Sequence, residues 1–145
     1  MHIYIDADAC PVKDEAIKVA ARVGARVTLV SASGLRPRRE AHVDQVVAGT
    51  AFDAADDWIA ERIAPGDICV TNDVPLASRC VERGARAISP TGRVFDEGTV
   101  GEALAMRNLG QHLREAGQTQ TYNAPFGPKD RSRFLQAMDL MTRTC

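Results

Sequence analysis

This chain of 145 residues lacks a cysteine or histidine metal-binding pattern and has no long hydrophobic run. The three histidines complete no zinc-ligand spacing, and no CxxC pair occurs among the four cysteines, which are Cys10, Cys69, Cys80 and Cys145. No apolar run approaches the length of a membrane span, and the N-terminus does not read as a basic-then-apolar signal peptide. These absences argue against a disulfide framework, a zinc module and a membrane protein, and they predict a reduced, cytoplasmic protein.

Aromatic residues and net charge are also low. Aromatic side chains make up 5% of the chain, and 18 basic residues against 19 acidic ones give a net charge of −1. No field of the whole protein therefore attracts nucleic acid or a membrane, and such a contact would need a local patch. Hydrophobic residues reach 45%, enough for a core without crosslinks, so we expect one domain over residues 1–145.

Strand and helix patterns alternate along the chain. Periodicity, turn residues and caps predict strands at 2–6, 26–30, 42–49, 67–71 and 85–89, and helices at 12–23, 54–64, 75–83, 99–115 and 130–143. Residues 90–98 read as a turn or a small hairpin, and 116–129 as a loop. The alternation predicts a three-layer α/β/α sandwich with a mostly parallel five-stranded sheet of order 3-2-1-4-5, and a C-terminal helical extension from about residue 99.

Acidic residues collect where strands of this sheet end. Asp6 ends strand 1, Asp73 follows strand 4, and Asp8 comes just after Asp6. Strands 1 and 4 are neighbours in the predicted order, so their acids converge at the edge where the parallel strands finish, here named the carboxyl edge. With Ile59 and Ile63 pointing inward, Asp56 can face the same edge from the first turn of its helix.

Carboxylates crowded together repel one another unless a cation neutralises them, and donor sets of oxygen alone suit Mg²⁺ or Mn²⁺. Helix capping is the simpler explanation for several of these acids. Asp53 is placed to cap the second helix, Asp73 the helix at Pro75, and Asp8 the helix at Pro11, while Asp56 fits a capping box. Capping explains neither Asp6, which falls where a strand should still be apolar, nor the gathering of acids at one edge.

The segments "YIDADACP", "DDWIAERIAPGDICVTNDVPLA" and "APFGPKDRSRF" resemble the YaiI/YqxD family of small bacterial proteins, which is grouped with PIN-like nuclease domains. The resemblance runs from Met1 to about Leu140 and implies a PIN-like fold. It also implies Mg²⁺- or Mn²⁺-dependent cleavage of phosphodiester bonds in RNA or single-stranded nucleic acid.

The family likeness assigns roles to individual acids. Asp6 matches the acid of strand 1, Asp73 the acid of a "TxD" motif, and Asp56 the helix acid, with Asp57 as its competitor. Asp8 belongs to the YaiI/YqxD motif and not to the general PIN pattern. The expected catalytic residues are Asp6, Asp56 and Asp73, and the expected metal ligands add Asp8 and Asp57. No histidine is placed as a general base, so the metal would have to acidify the attacking water.

Basic residues near these acids are candidates for guiding a phosphate chain, or else ordinary solvated charges. They are Lys13, Arg36, Arg38, Arg39, Arg79, Lys129, Arg131 and Arg133. Only Tyr122 and Phe126 in the late loop could stack on bases, and Phe126 is better read as packed, so sequence-specific recognition is not expected.

Two other functions fit parts of the pattern. The strand followed by "DAD" also resembles haloacid-dehalogenase-like phosphatases, although Cys10 stands where threonine or valine is usual and no lysine occupies the expected middle position. A PIN-like module that holds metal or RNA without cleaving it is the non-enzymatic alternative. Cys10, beside the acids, is expected to pack at the start of the first helix, and Asp130 to cap the last one.

Overall fold

A computed structural model describes residues 1–34, 36–51, 53–102, 104–106 and 126–143. The strands are β1 His2–Asp6, β2 Arg26–Ser31, β3 Val43–Val47, β4 Ile68–Val70, β5 Arg86–Ile88 and β6 Val94–Phe95. The sheet has the order β3-β2-β1-β4-β5-β6, with neighbouring strands parallel except for the antiparallel β5–β6 pair. The helices are α1 Lys13–Val23, α2 Ala54–Arg62, α3 Val74–Glu82 and α4 Pro128–Arg143.

The predicted α/β/α sandwich and the order of its first five strands are confirmed. The structure adds β6, a strand of two residues within the segment expected to be a turn or hairpin. Residues 100–102 and 104–106 are helical, while the rest of the predicted helix 99–115 and most of the predicted loop 116–129 lie outside the described residues. None of the helices in the described part of the chain is long and apolar enough to cross a membrane.

Side chains alternate between two cores along the central strand β1. Ile3 and Ile5 pack in the core that contains Phe134 and Met138 of α4, together with the buried face of α1. Tyr4 points the other way, into the core beneath α2 and α3. Successive side chains of a strand face opposite sides, so Asp6 follows Tyr4 onto the α2 and α3 side.

Candidate active site

Asp6 is the last residue of β1 and is held by the segment after β4. The Thr71 hydroxyl donates a hydrogen bond to Asp6 Oδ2 at 3.2 Å. The same hydroxyl oxygen accepts a hydrogen bond from the backbone N–H of Asp73 at 3.0 Å. Thr71 is 2% exposed, so this link is shielded from water. One buried hydroxyl therefore fixes the spacing between the two acids that follow the neighbouring strands.

Asp73 caps helix α3, as the capping alternative predicted. Its Oδ1 accepts a hydrogen bond from the backbone N–H of Leu76 at 3.1 Å, and Pro75 occupies the first turn, where no N–H is needed. Capping engages one carboxylate oxygen, so the other remains available to a neighbouring group. Structural and functional roles are therefore compatible in this residue.

Asp56 reaches the same edge from the first turn of α2. Burial raises its pKa to about 7, with further contributions from the charges of Asp73, Asp6 and Asp53 and from a hydrogen bond with Asp73. The pKa of Asp6 is also raised, first by burial and then by the charges of Asp8 and Asp73, while the bond from Thr71 opposes the rise. The structure thus brings the three predicted catalytic acids within electrostatic reach of one another.

A cavity of about 270 Å³ lies beside these acids. Its lining consists of four carboxylates and otherwise of alanine and glycine: Asp6, Asp8, Asp53, Asp56, Ala32, Gly49, Ala51, Ala54 and Ala55. Asp53 precedes α2 as predicted, but its side chain forms no capping hydrogen bond, and its backbone is left-handed with φ 58°. Because that conformation is unfavourable for a residue with a Cβ, the chain holds Asp53 at the cavity at some conformational cost.

The two remaining predicted metal ligands have partners of their own. Asp8 Oδ2 accepts a hydrogen bond from the backbone N–H of Ala32 at 2.9 Å, which fastens the end of β1 to the segment after β2. Asp57 Oδ1 forms an exposed ion pair with Arg79 at 2.7 Å. Of the two adjacent acids on α2, Asp56 is therefore the one placed with Asp6 and Asp73.

The side chains as they stand form an electrostatic cluster and not a closed coordination shell. Within the described residues, no group of three or more histidine, cysteine, aspartate or glutamate side chains is arranged to hold a metal ion. Binding of an ion by Asp6, Asp56 and Asp73 would require their carboxyl groups to turn toward a common point. The donor chemistry, which is carboxylate oxygen alone, remains that of a Mg²⁺ or Mn²⁺ site.

Several predicted phosphate-binding arginines are engaged within the protein. Arg38 bonds Asp14 at 2.5 Å and Glu40 at 2.9 Å, and Arg79 bonds Asp57. Arg131 forms an ion pair with Glu15 in the first turn of α1. The remaining predicted basic residues are half-buried or exposed: Lys13 at the start of α1, Arg36 and Arg39 after β2, and Lys129 and Arg133 on α4.

Cys10 is buried at the end of the turn before α1, and burial raises the pKa of its thiol to about 11. It is a packed thiol, as expected. Cys69 and Cys80 are also buried. Phe126 packs against the α1 and α4 core with the Arg131 guanidinium 5.3 Å from its ring centroid, whereas Tyr122 lies outside the described residues.

Asp130 stands within the first turn of α4, and its Oδ2 accepts from the Gly127 N–H at 3.0 Å. The aspartate therefore still satisfies a backbone donor at the helix start, although the helix begins at Pro128 and not at the predicted residue 130. Two contributors to the acidic edge were not identified from the sequence. The only indication for Thr71 was its position in the "TND" segment, two residues before Asp73. Nothing in the sequence indicated the backbone conformation of Asp53.

The strand order, with acids following β1 and β4, defines a doubly wound α/β domain with an acidic carboxyl edge. The model of a family described as "Uncharacterized BCR, YaiI/YqxD family" matches residues 4–144. A UPF0178 protein of Rhizobium etli is 61% identical over 141 residues, which cover 97% of this chain and 91% of that protein. UPF0178 proteins of Agrobacterium fabrum and Rhizobium meliloti are 59% and 58% identical, covering 97% of this chain and 92% and 97% of those proteins.

The chain therefore belongs to the YaiI/YqxD family, as its motifs predicted. No solved structure matched it. The names of these relatives state no substrate, metal or reaction, and the likeness to PIN-like nucleases stays a prediction.

Proposed function

We propose that this protein is a Mg²⁺- or Mn²⁺-dependent nuclease that hydrolyses phosphodiester bonds of RNA or single-stranded nucleic acid at its carboxyl edge, in the cytoplasm. Asp6, Asp56 and Asp73 would hold the ion. When bound, the ion would lower the pKa of the attacking water and offset the negative charge of the phosphate.

The observation that carries the proposal is an excess of uncompensated carboxylates at one place. Within the described residues, no lysine, arginine or histidine forms an ion pair with any acid of the edge, namely Asp6, Asp8, Asp53, Asp56 and Asp73. Carboxylates elsewhere do have such partners, for example Asp14, Glu15 and Asp57. Like charges so arranged must be offset by a proton or by a cation from solution.

Two of the acids are already positioned in part by the protein. The Thr71 hydroxyl holds one oxygen of Asp6, and the Leu76 N–H holds one oxygen of Asp73, so binding of an ion would require only a turn of their other oxygens. Asp56, with a pKa of about 7, holds a proton for part of the time at neutral pH. We expect Asp56 to release that proton when a cation takes its place, because the proton and the cation each reduce the repulsion between Asp56 and the neighbouring carboxylates.

The test is incubation of labelled single-stranded RNA with purified protein and Mn²⁺. Cleavage is expected from the wild type and is expected to fall at least about 100-fold in Asp6→Asn and in Asp73→Asn. Asp44→Asn is the matched control, since Asp44 is an exposed acid on β3 that pairs with Arg26. Its cleavage rate should equal that of the wild type.

The other outcomes separate the alternatives. RNA binding without cleavage by the wild type would favour the non-catalytic module. Cleavage that survives both substitutions would refute the assignment of the site. Turnover of a simple phosphomonoester that Asp6→Asn abolishes would favour a phosphatase, although Asp8, the second acid of that mechanism, is engaged with the Ala32 N–H.

A further inference from the structure

One face of helix α4 presents positive charge to a second cavity. Lys129, Ser132, Arg133 and Gln136 are spaced by three and four residues, so their side chains share one face of the helix. Together with Pro128 they line a cavity of about 320 Å³. The acids of the carboxyl edge do not contribute to this cavity.

Three contacts fix the direction of α4 relative to the sheet. Near its start, Arg131 pairs with Glu15 in the first turn of α1, which follows the end of β1. Gly92, in the turn after β5, lies so close to α4 that an added Cβ would be 2.7 Å from the carbonyl carbon of Arg133. At the far end, the Arg86 guanidinium at the start of β5 donates to the Met141 carbonyl at 2.9 Å. The basic face therefore begins at the carboxyl edge.

Within the described residues, acidic side chains compensate little of the positive charge on this face. Cations are unfavourable near a helix N-terminus, and like charges four residues apart repel each other. Arg133 is 69% exposed and has only Asp130 at 4.0 Å, while Lys129 forms no ion pair with any described residue. A bound anion would relieve the repulsion between the two cations.

A nuclease with an acidic edge needs such a face, because its carboxylates repel the phosphates of the strand that it cleaves. We infer that Lys129 and Arg133 bind a backbone phosphate of the same single strand whose phosphodiester reaches the carboxyl edge, with Ser132 and Gln136 as hydrogen-bonding neighbours. This inference rests on the proposed function and defines its substrate class. Strands β1 and β5 are two spacings apart, about 10 Å, and α4 lies on the face of the sheet opposite to α2 and α3. A ligand that reaches both the acids and the basic face must therefore be an oligonucleotide and not a single nucleotide.

The experiment measures binding of a fluorescent single-stranded RNA at several salt concentrations, with a chelator present so that no cleavage occurs. Each phosphate contact on a single strand contributes about 0.7 to the slope of log K against log salt. The double variant Lys129→Gln/Arg133→Gln should therefore lower the steepness of that slope by about 0.7, the value for one neutralised phosphate. The control Lys18→Gln/Arg22→Gln removes two exposed cations at the same spacing from α1, and its slope should equal that of the wild type.

The outcomes distinguish this inference from the nuclease proposal. RNA binding with the expected change in slope, but no cleavage when Mn²⁺ is added, would support the phosphate site and overturn the enzyme. Cleavage by a wild type whose salt slope is the same as that of the α4 variant would overturn the phosphate site alone. An equal loss of slope in the α1 control would also overturn it, since the effect would then be one of net charge. Dependence on Lys129 and Arg133 that appears only with anionic lipid vesicles would refute a nucleic-acid ligand.

Discussion

Replacing Asp56 by asparagine should make the protein more stable at alkaline pH than the wild type. The wild-type carboxyl has a pKa of about 7, because it is partly buried and lies near the charges of Asp73, Asp6 and Asp53. In the unfolded chain its pKa is close to the ordinary value of 3.8. Asparagine keeps the size and hydrogen-bonding capacity of the protonated side chain but carries no charge at any pH.

The sign of the effect follows from proton linkage. A raised pKa means that the folded state binds the proton more tightly than the unfolded state. The stability linked to this proton is complete below about pH 4 and is lost as pH rises through about pH 7. A difference of about three pKa units corresponds to about 4 kcal/mol, but solvent reaches this carboxyl and screens its neighbours. We therefore expect the free energy of unfolding of Asp56→Asn, relative to the wild type, to rise by about 1 to 2 kcal/mol between pH 4 and pH 8.

The assay is urea denaturation of both proteins across this range, with a chelator present. The quantity to measure is how the difference in unfolding free energy between Asp56→Asn and the wild type changes with pH, because any effect of the amide that is independent of pH then cancels. Asp57→Asn is the matched control, since that neighbour pairs with Arg79 and its loss should give no gain at pH 8. A difference between Asp56→Asn and the wild type that stays constant with pH would show that the acids do not repel one another, and the reasoning behind the site would fail.

Three further predictions test the edge and its scaffold. Mn²⁺ at 100 times its Kd should raise the free energy of unfolding of the wild type by about 2.7 kcal/mol in calorimetry, and by less at pH 5 than at pH 8. The ion should not stabilise Asp6→Asn, and equal stabilisation of that variant would place the ion elsewhere. Thr71→Val should lower the free energy of unfolding by about 1 to 3 kcal/mol in urea denaturation and the Mn²⁺ affinity by about 10-fold or more in calorimetric titration, because the link between Asp6 and Asp73 is lost. Thr71→Ser should restore both values, and a valine variant with wild-type affinity would contradict this role. Gly92→Ala should cost more stability in urea than Gly66→Ala, because both have positive φ but only the Cβ added at Gly92 meets the backbone of α4, and equal losses would show that this contact is unimportant.

The sheet could be predicted because its signals are local and repeated. Each long strand is an apolar run bounded by polar or turn residues, and alternation with helices leaves few arrangements of the strands. Strand β6 could not be predicted as a separate element because a segment of two residues shows no periodicity. Its pairing depends on the Ser89 N–H donating to the Arg93 carbonyl at 2.8 Å across a tight turn, which composition alone does not reveal.

The acids could be predicted only in part, for reasons that differ between residues. Asp6 was identifiable because a charged residue at the end of a buried strand has no capping role. Asp56 and Asp57 could not be separated, since adjacent helical positions differ by about 100° and the rotation of α2 depends on packing across the sheet. The pairing of Arg38 with Asp14, 24 residues away, likewise exists only once the chain has folded.

The distribution of charge resolves the difficulty that the composition posed. A net charge of −1 was evidence against a field of the whole protein, but it carries no information about local separation. In the described chain, acids without an ion-pair partner collect at the carboxyl edge on the α2 side, and cations with little compensation begin at the same edge on α4. Opposite charges in one molecule would lower their energy by pairing, yet here they lie in separate layers. Under the function proposed above, a cation at the acids and a phosphate strand that reaches both layers would offset this loss. Binding and cleavage would then depend on separate sets of residues, the cations of α4 for the one and the acids of the edge for the other.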